Sequence, residues 1–297
     1  MQKTMRDQAY KLRKMVQQQR FVTCNEEPGL GPRVIAVTSG KGGVGKTNLV
    51  VNLGLSLAKM NERVLLFDTD IGLANVEVFL GVTARYSVRD VLFGNKSIGE
   101  IVESGPHGLR YISGGSGFLE LVDLDNTQRS RVLELLRYFR ENTDYILIDT
   151  GAGISRNVLS FVAAADETII VVTPEPTSLT DAYSLIKILV KIRMVPRLYV
   201  VVNRAGDLKE AQNTFQRLRM AAEKFLEVSL MHLGTIYEDR TVVSAIKKQE
   251  PLVISQPRSV AARNVEEITR NLVLERPHRD AAKETFFRKV LRVFGLG

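Results

Sequence analysis

A glycine-rich run with two lysines, GKGGVGKT at residues 40–47, is the part of this sequence best suited to chemistry. It fits the pattern of a phosphate-binding loop, in which glycines let successive backbone N–H groups turn inward around the phosphates of a nucleotide. Lys46 is expected to reach the β- and γ-phosphate oxygens, and the Thr47 hydroxyl to bind Mg²⁺. The predicted nucleotide contacts in this segment are Gly40, Lys41, Gly42, Gly43, Val44, Gly45, Lys46, Thr47 and Asn48.

Two hydrophobic runs end in carboxylates, as strands do when they bring acidic side chains to a phosphate site. Phe67-Asp68-Thr69-Asp70 closes one run, and Asp149 closes the other. A hydrophobic strand that ends in an aspartate is typical of the Walker B arrangement, which holds Mg²⁺ through water. We therefore predict that Asp149 is a metal-binding residue and that a carboxylate near the γ-phosphate acts on water.

Short β-branched runs alternate with helical patterns from Arg33 onward. Strands are predicted at 34–37, 64–67, 145–148, 168–172 and 198–202, and helices near 48–60, 127–141, 155–165, 178–194 and 208–228. This order indicates an α/β fold with a doubly wound, mostly parallel sheet flanked by helices. Ligands of such sheets bind beyond the carboxyl ends of the strands, where both kinds of motif lie.

The formal net charge of +8 is carried by the two ends of the chain. Residues 1–20 carry +5 and residues 275–297 carry +3, which leaves the body neutral. A neutral body argues against a broad electrostatic contact with DNA, and basic ends favour acidic partners or anionic lipid. No sequence-specific nucleic acid is expected as a partner. Cys24 is the single cysteine, and no apolar stretch resembles a signal peptide or a membrane-spanning helix. We expect a cytoplasmic protein with reversible, peripheral association to the inner face of the plasma membrane.

Residues 39–47, SGKGGVGKT, resemble the signature of the deviant Walker A ATPases. This P-loop family includes the septum-site protein MinD, the plasmid-partition ParA proteins and the flagellar-placement protein FlhG, also called FleN. In the family the lysine that matches Lys41 crosses a dimer interface to the partner's nucleotide. The resemblance therefore implies a cycle between an ATP-bound homodimer and an ADP-bound monomer, with ATP or ADP and Mg²⁺ as cofactors.

The same resemblance implies roles for the carboxylates. Catalysis is assigned to Lys41, Lys46 and Asp70, with Asp70 orienting or deprotonating the attacking water. Asp68 is expected to support the metal shell alongside Thr47 and Asp149. Thr150-Gly151-Ala152-Gly153 resembles the family's second switch, with Gly151 where MinD proteins carry proline.

The base-binding segment follows the run of valines at 200–202. A GTPase would be expected to carry Asn-Lys-x-Asp there, but the sequence is Asn203-Arg204-Ala205-Gly206. Gly206 takes the place of the acid that reads guanine, which favours ATP. By resemblance, Asn203 contacts the adenine edge with Arg204 beside it, and Tyr237 stands where a second adenine-contacting stretch usually has proline.

The C-terminal segment KETFFRKVLRVFGLG, residues 283–297, has an apolar helical stripe and a basic opposite face. This pattern is typical of an interfacial helix on anionic lipid, although the stripe would also suit packing against the protein's own body. The predicted membrane residues are Phe286, Phe287, Val290, Leu291 and Phe294, with Lys283, Arg288, Lys289 and Arg292. Two such helices on one dimer would gain avidity, so membrane residence would depend on ATP.

The N-terminal segment has too little apolar surface to fold alone and should order on a partner. Its Asp-Gln-Ala and Leu-Arg pattern resembles the activator segment of FlhG proteins, which engages the signal-recognition-type GTPase FlhF. The residues that match are Asp7, Gln8, Ala9, Leu12 and Arg13. A solvated tail is the alternative reading from composition alone.

These features divide the chain into an N-terminal partner-binding tail and linker at 1–32, an ATPase domain at 33–276 and a membrane-targeting helix at 277–297. The resemblance to FlhG implies an ATPase that regulates flagellar number and placement with FlhF and flagellar basal-body switch proteins. The alternatives are a MinD-like division-site regulator, and a GTPase activator or scaffold whose ATPase activity is incidental.

Overall fold

The computed structural model describes residues 31–69, 75–114, 125–193, 195–275 and Lys289, which form an eight-stranded sheet covered by helices. The strands are β1 (Arg33–Ser39), β2 (Val64–Asp68), β3 (Glu103–Ser104), β4 (Arg110–Ser113), β5 (Tyr145–Ala152), β6 (Glu167–Val172), β7 (Arg197–Ala205) and β8 (Met231–Tyr237). The helices are α1 (Lys46–Lys59), α2 (Asn75–Leu80), α3 (Val88–Leu92), α4 (Ile98–Ile101), α5 (Asn126–Asn142), α6 (Arg156–Ala164), α7 (Pro176–Lys191), α8 (Leu208–Leu226), α9 (Arg240–Lys247), α10 (Leu252–Ser255) and α11 (Val260–Leu274).

The sheet has the order β3-β4-β2-β5-β1-β6-β7-β8, and its neighbours are parallel except for β3 with β4. This topology confirms the predicted doubly wound, mostly parallel sheet. Strands β1 and β6 are buried along their whole length, as their continuous apolar runs predict for strands covered on both faces. All five predicted strands and all five predicted helices are present, with ends shifted by a few residues.

Two apolar layers hold the helices on the sheet. Helices α1 and α11 pack on one face through fully buried side chains such as Leu53 and Ile268. Helices α5, α6, α7 and α8 pack on the other face through side chains such as Phe161 and Leu185. Within the described ranges no helix has the length and hydropathy to cross a bilayer.

Strand β8 was not predicted, because its sequence MHLGTIY mixes apolar and polar residues at the edge of the sheet. Tertiary packing on α11 stabilises it instead. A Cβ at Gly234 would lie 2.5 Å from Cγ1 of Ile268, so glycine is what lets the helix approach. Asn271 on α11 also donates from Nδ2 to the Leu233 carbonyl at 3.0 Å.

A buried ion pair joins the amino ends of β1 and β6. Arg33 donates to both carboxylate oxygens of Glu167, from Nε at 2.7 Å and from Nη2 at 2.6 Å. The remaining Nη1 donates to the Leu272 carbonyl at 2.5 Å, near the end of α11. One guanidinium therefore ties the first strand of the body to its last helix.

We expect Glu167→Gln to lower the free energy of unfolding by about 3 to 5 kcal/mol, because it leaves the Arg33 charge buried without its counter-charge. Chemical denaturation measures this change. The matched control is Glu141→Gln, which removes an exposed pair with Arg137 and should leave the unfolding midpoint unchanged. Equal midpoints for the two variants would contradict the structural role assigned to the buried pair.

Candidate nucleotide-binding site

The glycine-rich loop connects β1 to α1 at the carboxyl end of the sheet. Gly43 and Gly45 have φ angles of 76° and 91°, in the left-handed region that side chains disfavour. Gly40 allows a close approach to α7, because a Cβ there would lie 2.3 Å from the Asp181 carbonyl carbon and 2.5 Å from the Ala182 nitrogen. The glycines thus shape the loop and seat its first residue directly on a helix.

Lys46 lies behind this loop and is bound to Asp149. Its Nζ donates to Oδ1 of Asp149 at 2.8 Å, and the two residues are 7% and 0% exposed. Asp68 is the residue opposite Asp149 across the β2–β5 ladder, so both carboxylates lie at one edge of the sheet. Thr69 reinforces the pairing, since its hydroxyl donates to the Asp149 carbonyl at 2.9 Å.

The residues at this edge fit a magnesium ion. Asp68, Asp149 and Thr47 offer the hard oxygen ligands that Mg²⁺ prefers, with Thr47 in the first turn of α1. The Lys46 ammonium already rests on Asp149, which identifies this buried position as one that takes positive charge. Three protein side chains are enough for Mg²⁺, because this ion usually keeps waters and phosphate oxygens in its coordination shell.

The segment after Asp149 is bonded back to the start of the phosphate loop. Gly153 donates from its backbone N–H to the Ser39 carbonyl at 2.9 Å, with a φ angle of 88°. The Thr150 hydroxyl donates to the Val37 carbonyl at 3.0 Å. A shift of the loop at Ser39 is therefore transmitted to the segment that resembles the second switch.

Asn203 connects the predicted base-binding segment to the phosphate loop. Its Nδ2 donates to the Val44 carbonyl at 2.7 Å, and its Oδ1 accepts from the Arg204 N–H at 3.0 Å. An amide side chain has two donors and two acceptor lone pairs, so one donor and one lone pair remain. Arg204 adopts a left-handed φ of 59° and is exposed at the mouth of the site.

The second predicted base-contacting stretch is built differently from the expectation. The Tyr237 side chain packs against the apolar layer that also holds α7 and α8. The following Asp239 caps α9 through the Thr241 N–H at 2.9 Å, and accepts from the Ala261 N–H of α11 at 3.1 Å. Partial burial opposes its ionisation, but these hydrogen bonds lower the pKa of Asp239 overall. Sequence reasoning placed Asp239 at the end of the adenine-contacting stretch and did not predict its capping role, although an aspartate before a helical run is a helix-cap signal.

Lys41 bonds within its own chain. Its Nζ donates to Oε2 of Glu175 and to Oγ1 of Thr177, the latter at 3.2 Å. Lys41 and Glu175 side chains are 38% and 55% exposed, and the Lys41 hydrogen bond lowers the pKa of Glu175. Sequence reasoning missed Glu175 and Thr177, because nothing local connects the start of α7 with a loop 134 residues earlier.

Several predicted residues lie outside the described ranges. These are Asp70, the N-terminal set Asp7, Gln8, Ala9, Leu12 and Arg13, and the membrane set Lys283, Phe286, Phe287, Arg288, Val290, Leu291, Arg292 and Phe294. Lys289 is described, and its Nζ donates to the Ala165 carbonyl at 3.3 Å. That contact lies at the amino end of β6, away from the phosphate loop.

Known proteins resemble this chain over most of its length. A family model described as ParA, NUBPL iron-transfer P-loop NTPase, matches residues 32–273. The antiactivator FleN of Pseudomonas aeruginosa is 42% identical over 230 residues, which cover 77% of this chain and 82% of FleN. The flagellum site-determining protein YlxH of Helicobacter pylori is 33% identical over 281 residues, covering 89% of this chain and 91% of YlxH. Among solved structures, the MinC:MinD cell division protein complex of Aquifex aeolicus aligns with 30% identity and a TM-score of 0.66, covering 82% of this chain and 97% of that one.

We expect Asn203→Ala to weaken nucleotide binding by about tenfold to a hundredfold, because it removes the tether to the Val44 carbonyl and leaves that carbonyl without its partner. Titration with a fluorescent ATP analogue measures the Kd. Gln212→Ala on the exposed face of α8 serves as the control and should bind as the unaltered chain does. Unchanged affinity in Asn203→Ala would remove this residue from the site.

Proposed function

The chain belongs to the ParA family of P-loop NTPases, and we propose that it is an ATPase that cycles between an ATP-bound homodimer on the membrane and an ADP-bound monomer. The membership confirms the resemblance drawn from residues 39–47. The proposal is carried by one observation, the Lys41 side chain at the mouth of the site. It is held by two exposed partners on its own chain while Lys46 occupies the interior.

The chemistry proposed is hydrolysis of ATP to ADP and phosphate. The backbone N–H groups of residues 40–45 and the start of α1 would hold the phosphates, and Lys46 would turn from Asp149 to their β and γ oxygens. Asp70 would orient the attacking water from the end of β2. Mg²⁺, held by Thr47, Asp149 and Asp68, would neutralise charge that develops on the phosphate oxygens.

We base adenine recognition on the amide donor and the oxygen lone pair of Asn203 that its hydrogen bonds within the chain leave unused. Its unused donor and lone pair match the N7 acceptor and the N6 amino donor of adenine, which an asparagine reads as a pair. Gly206 places no carboxylate where guanine's amino group would need one. The Arg204 side chain, exposed beside Asn203, is proposed to lie over the base.

Dimer formation is proposed to take Lys41 across to the nucleotide of the partner. To do so, Lys41 must leave Glu175 and Thr177, and both are exposed groups whose ion pair and hydrogen bond are screened by water. A triphosphate held in a dry interface offers more charge to the ammonium than one solvated carboxylate. The number of phosphates bound would thereby set the number of subunits.

The biological role proposed is control of flagellar number and placement. The proposal is supported by the flagellum site-determining protein YlxH, which matches 89% of this chain, and by the antiactivator FleN, which matches 77%. The N-terminal tail is proposed to engage an FlhF-type GTPase, the body to meet flagellar switch proteins, and the C-terminal helix to bind anionic lipid. MinD relatives also match, which supports a division-site regulator as the second candidate.

Sizing the full chain tests the nucleotide cycle. We expect Asp70→Ala, which retains ATP, to elute as a dimer in ATP and as a monomer in ADP. Adding Lys41→Ala should return it to the monomer in ATP, with the melting temperature little changed because Lys41 makes only exposed contacts. Lys209→Ala, an exposed lysine on α8, is the control and should not alter the dimer. Dimers that persist without Lys41 would contradict the proposed cause.

Removing residues 1–20 separates the flagellar role from its alternatives. We expect the truncated chain to hydrolyse ATP normally and to lose its effect on flagellar number. A cell with normal flagella after this truncation would favour the division-site role. A peptide of residues 1–20 that replaces the whole protein in flagellar control would favour an activator with incidental ATPase activity.

A further inference from the structure

We propose that the corner between α7 and β7, formed by Lys191, Ile192, Arg193 and Val195, is a second contact with the anionic membrane, beside the C-terminal helix. This inference rests on the proposed membrane association and adds a surface of the folded body to it. We call these four residues the α7–β7 corner.

The corner exposes apolar side chains where α7 ends. Ile192 and Val195 are 43% and 41% exposed, on either side of Arg193. The Ile192 N–H donates to the Ile188 carbonyl and the Arg193 N–H to the Val190 carbonyl, each at 3.0 Å. Arg193 adopts a left-handed φ of 55°, which ends the helix sharply. Backbone hydrogen bonds thus hold Ile192 and Arg193 in place at the end of α7.

The charges that the corner itself carries, on Lys191 and Arg193, are both positive. No acidic residue occurs between Asp181 and Asp207. Lys191 and Arg193 are exposed, and neither forms an ion pair with a carboxylate in the described part of the chain. Because the body is neutral overall, an uncompensated pair of cations beside two exposed apolar groups is a local feature that calls for an anionic, partly apolar partner.

Described contacts connect the corner to Lys289. Lys289 lies against Asp166, with Nζ 3.7 Å from Oδ1. The Asp166 carbonyl accepts the Arg197 N–H at 3.4 Å, two residues after the corner. The Arg197 guanidinium in turn binds the Glu275 carboxylate at 3.0 Å, at the end of α11. If Lys289 lies at the bilayer, as the proposed membrane association requires, these contacts would bring the corner to the same surface.

A lipid surface fits the corner better than a protein does. Two exposed aliphatic side chains provide far less apolar area than the roughly 800 Å² per partner of a stable protein interface. Cations beside shallowly inserted apolar groups are the combination that interfacial segments use at the boundary between headgroups and acyl chains. Leu274 on α11 is 81% exposed and adds an exposed apolar side chain near the Arg197–Glu275 pair.

Vesicle sedimentation of the full chain in ATP tests the proposal. The vesicles contain phosphatidylglycerol and phosphatidylcholine, or phosphatidylcholine alone, at about 0.1 M salt. We expect Lys191→Gln/Arg193→Gln to lower the apparent partition coefficient on anionic vesicles about 25-fold, or about fivefold for each cation removed. Ile192→Ser/Val195→Ser should weaken binding by a similar amount, while ATP hydrolysis without vesicles stays normal in both.

Two matched variants make the result specific. Lys191→Arg/Arg193→Lys keeps the charge and should bind as the unaltered chain does. Leu208→Ser/Lys209→Gln alters an exposed apolar and basic pair at the carboxyl end of the sheet, and it should also bind normally. Loss of binding in the charge-preserving variant would overturn the proposal, since charge would then not be the cause.

The failure of this inference is distinguishable from that of the membrane cycle. If the unaltered chain sediments and loses binding without residues 280–297, but the corner variants bind normally, only the corner is excluded. If the unaltered chain does not sediment with anionic vesicles in ATP, the proposed membrane association fails, and the corner with it.

Discussion

A buried ammonium and a buried carboxylate meet at the centre of the site, and the rest of the structure is arranged around that pair. Lys46 and Asp149 come from the helix after β1 and from the neighbouring strand β5, and both are almost wholly out of water. Breaking such a pair without replacement leaves an uncompensated buried charge, which is strongly unfavourable. Lys46 can therefore leave Asp149 only when its ammonium group binds phosphate and another cation, such as Mg²⁺, binds Asp149. In the proposed cycle, this constraint would couple nucleotide binding to metal binding.

The molecule separates its tasks between the two ends of the sheet. The phosphate loop, Asp149 and Asn203 lie at the carboxyl end, while the Arg33–Glu167 pair and Lys289 lie at the amino end. Helix α7 spans these two ends, since it begins beside Lys41 and ends at the proposed α7–β7 corner. The parallel sheet makes this possible, because each βα connection spans its full height.

Much of this could be predicted because local patterns determine it. The buried strands are continuous apolar runs, and the phosphate loop follows one of them with its glycines and Lys46 in place. The rest depends on contacts between residues far apart in sequence. The Asn203 amide meets the Val44 carbonyl across 159 residues, and Glu175 meets Lys41 across 134. Strand β8 was missed because its stability comes from α11, which periodicity within β8 does not reveal.

The close packing of Gly40 on α7 gives the phosphate loop a direct mechanical contact with that helix. Because Gly40 has no side chain, its backbone packs directly against the backbone of Asp181 and Ala182 in α7. A displacement of the phosphate loop would therefore press directly on the helix. A helix of 16 residues is about 24 Å long, so a tilt of about 10° at one end displaces the other by about 4 Å. A larger residue at position 40 would push the phosphate loop away from α7 and so separate the loop from a helix that runs to the amino end of the sheet.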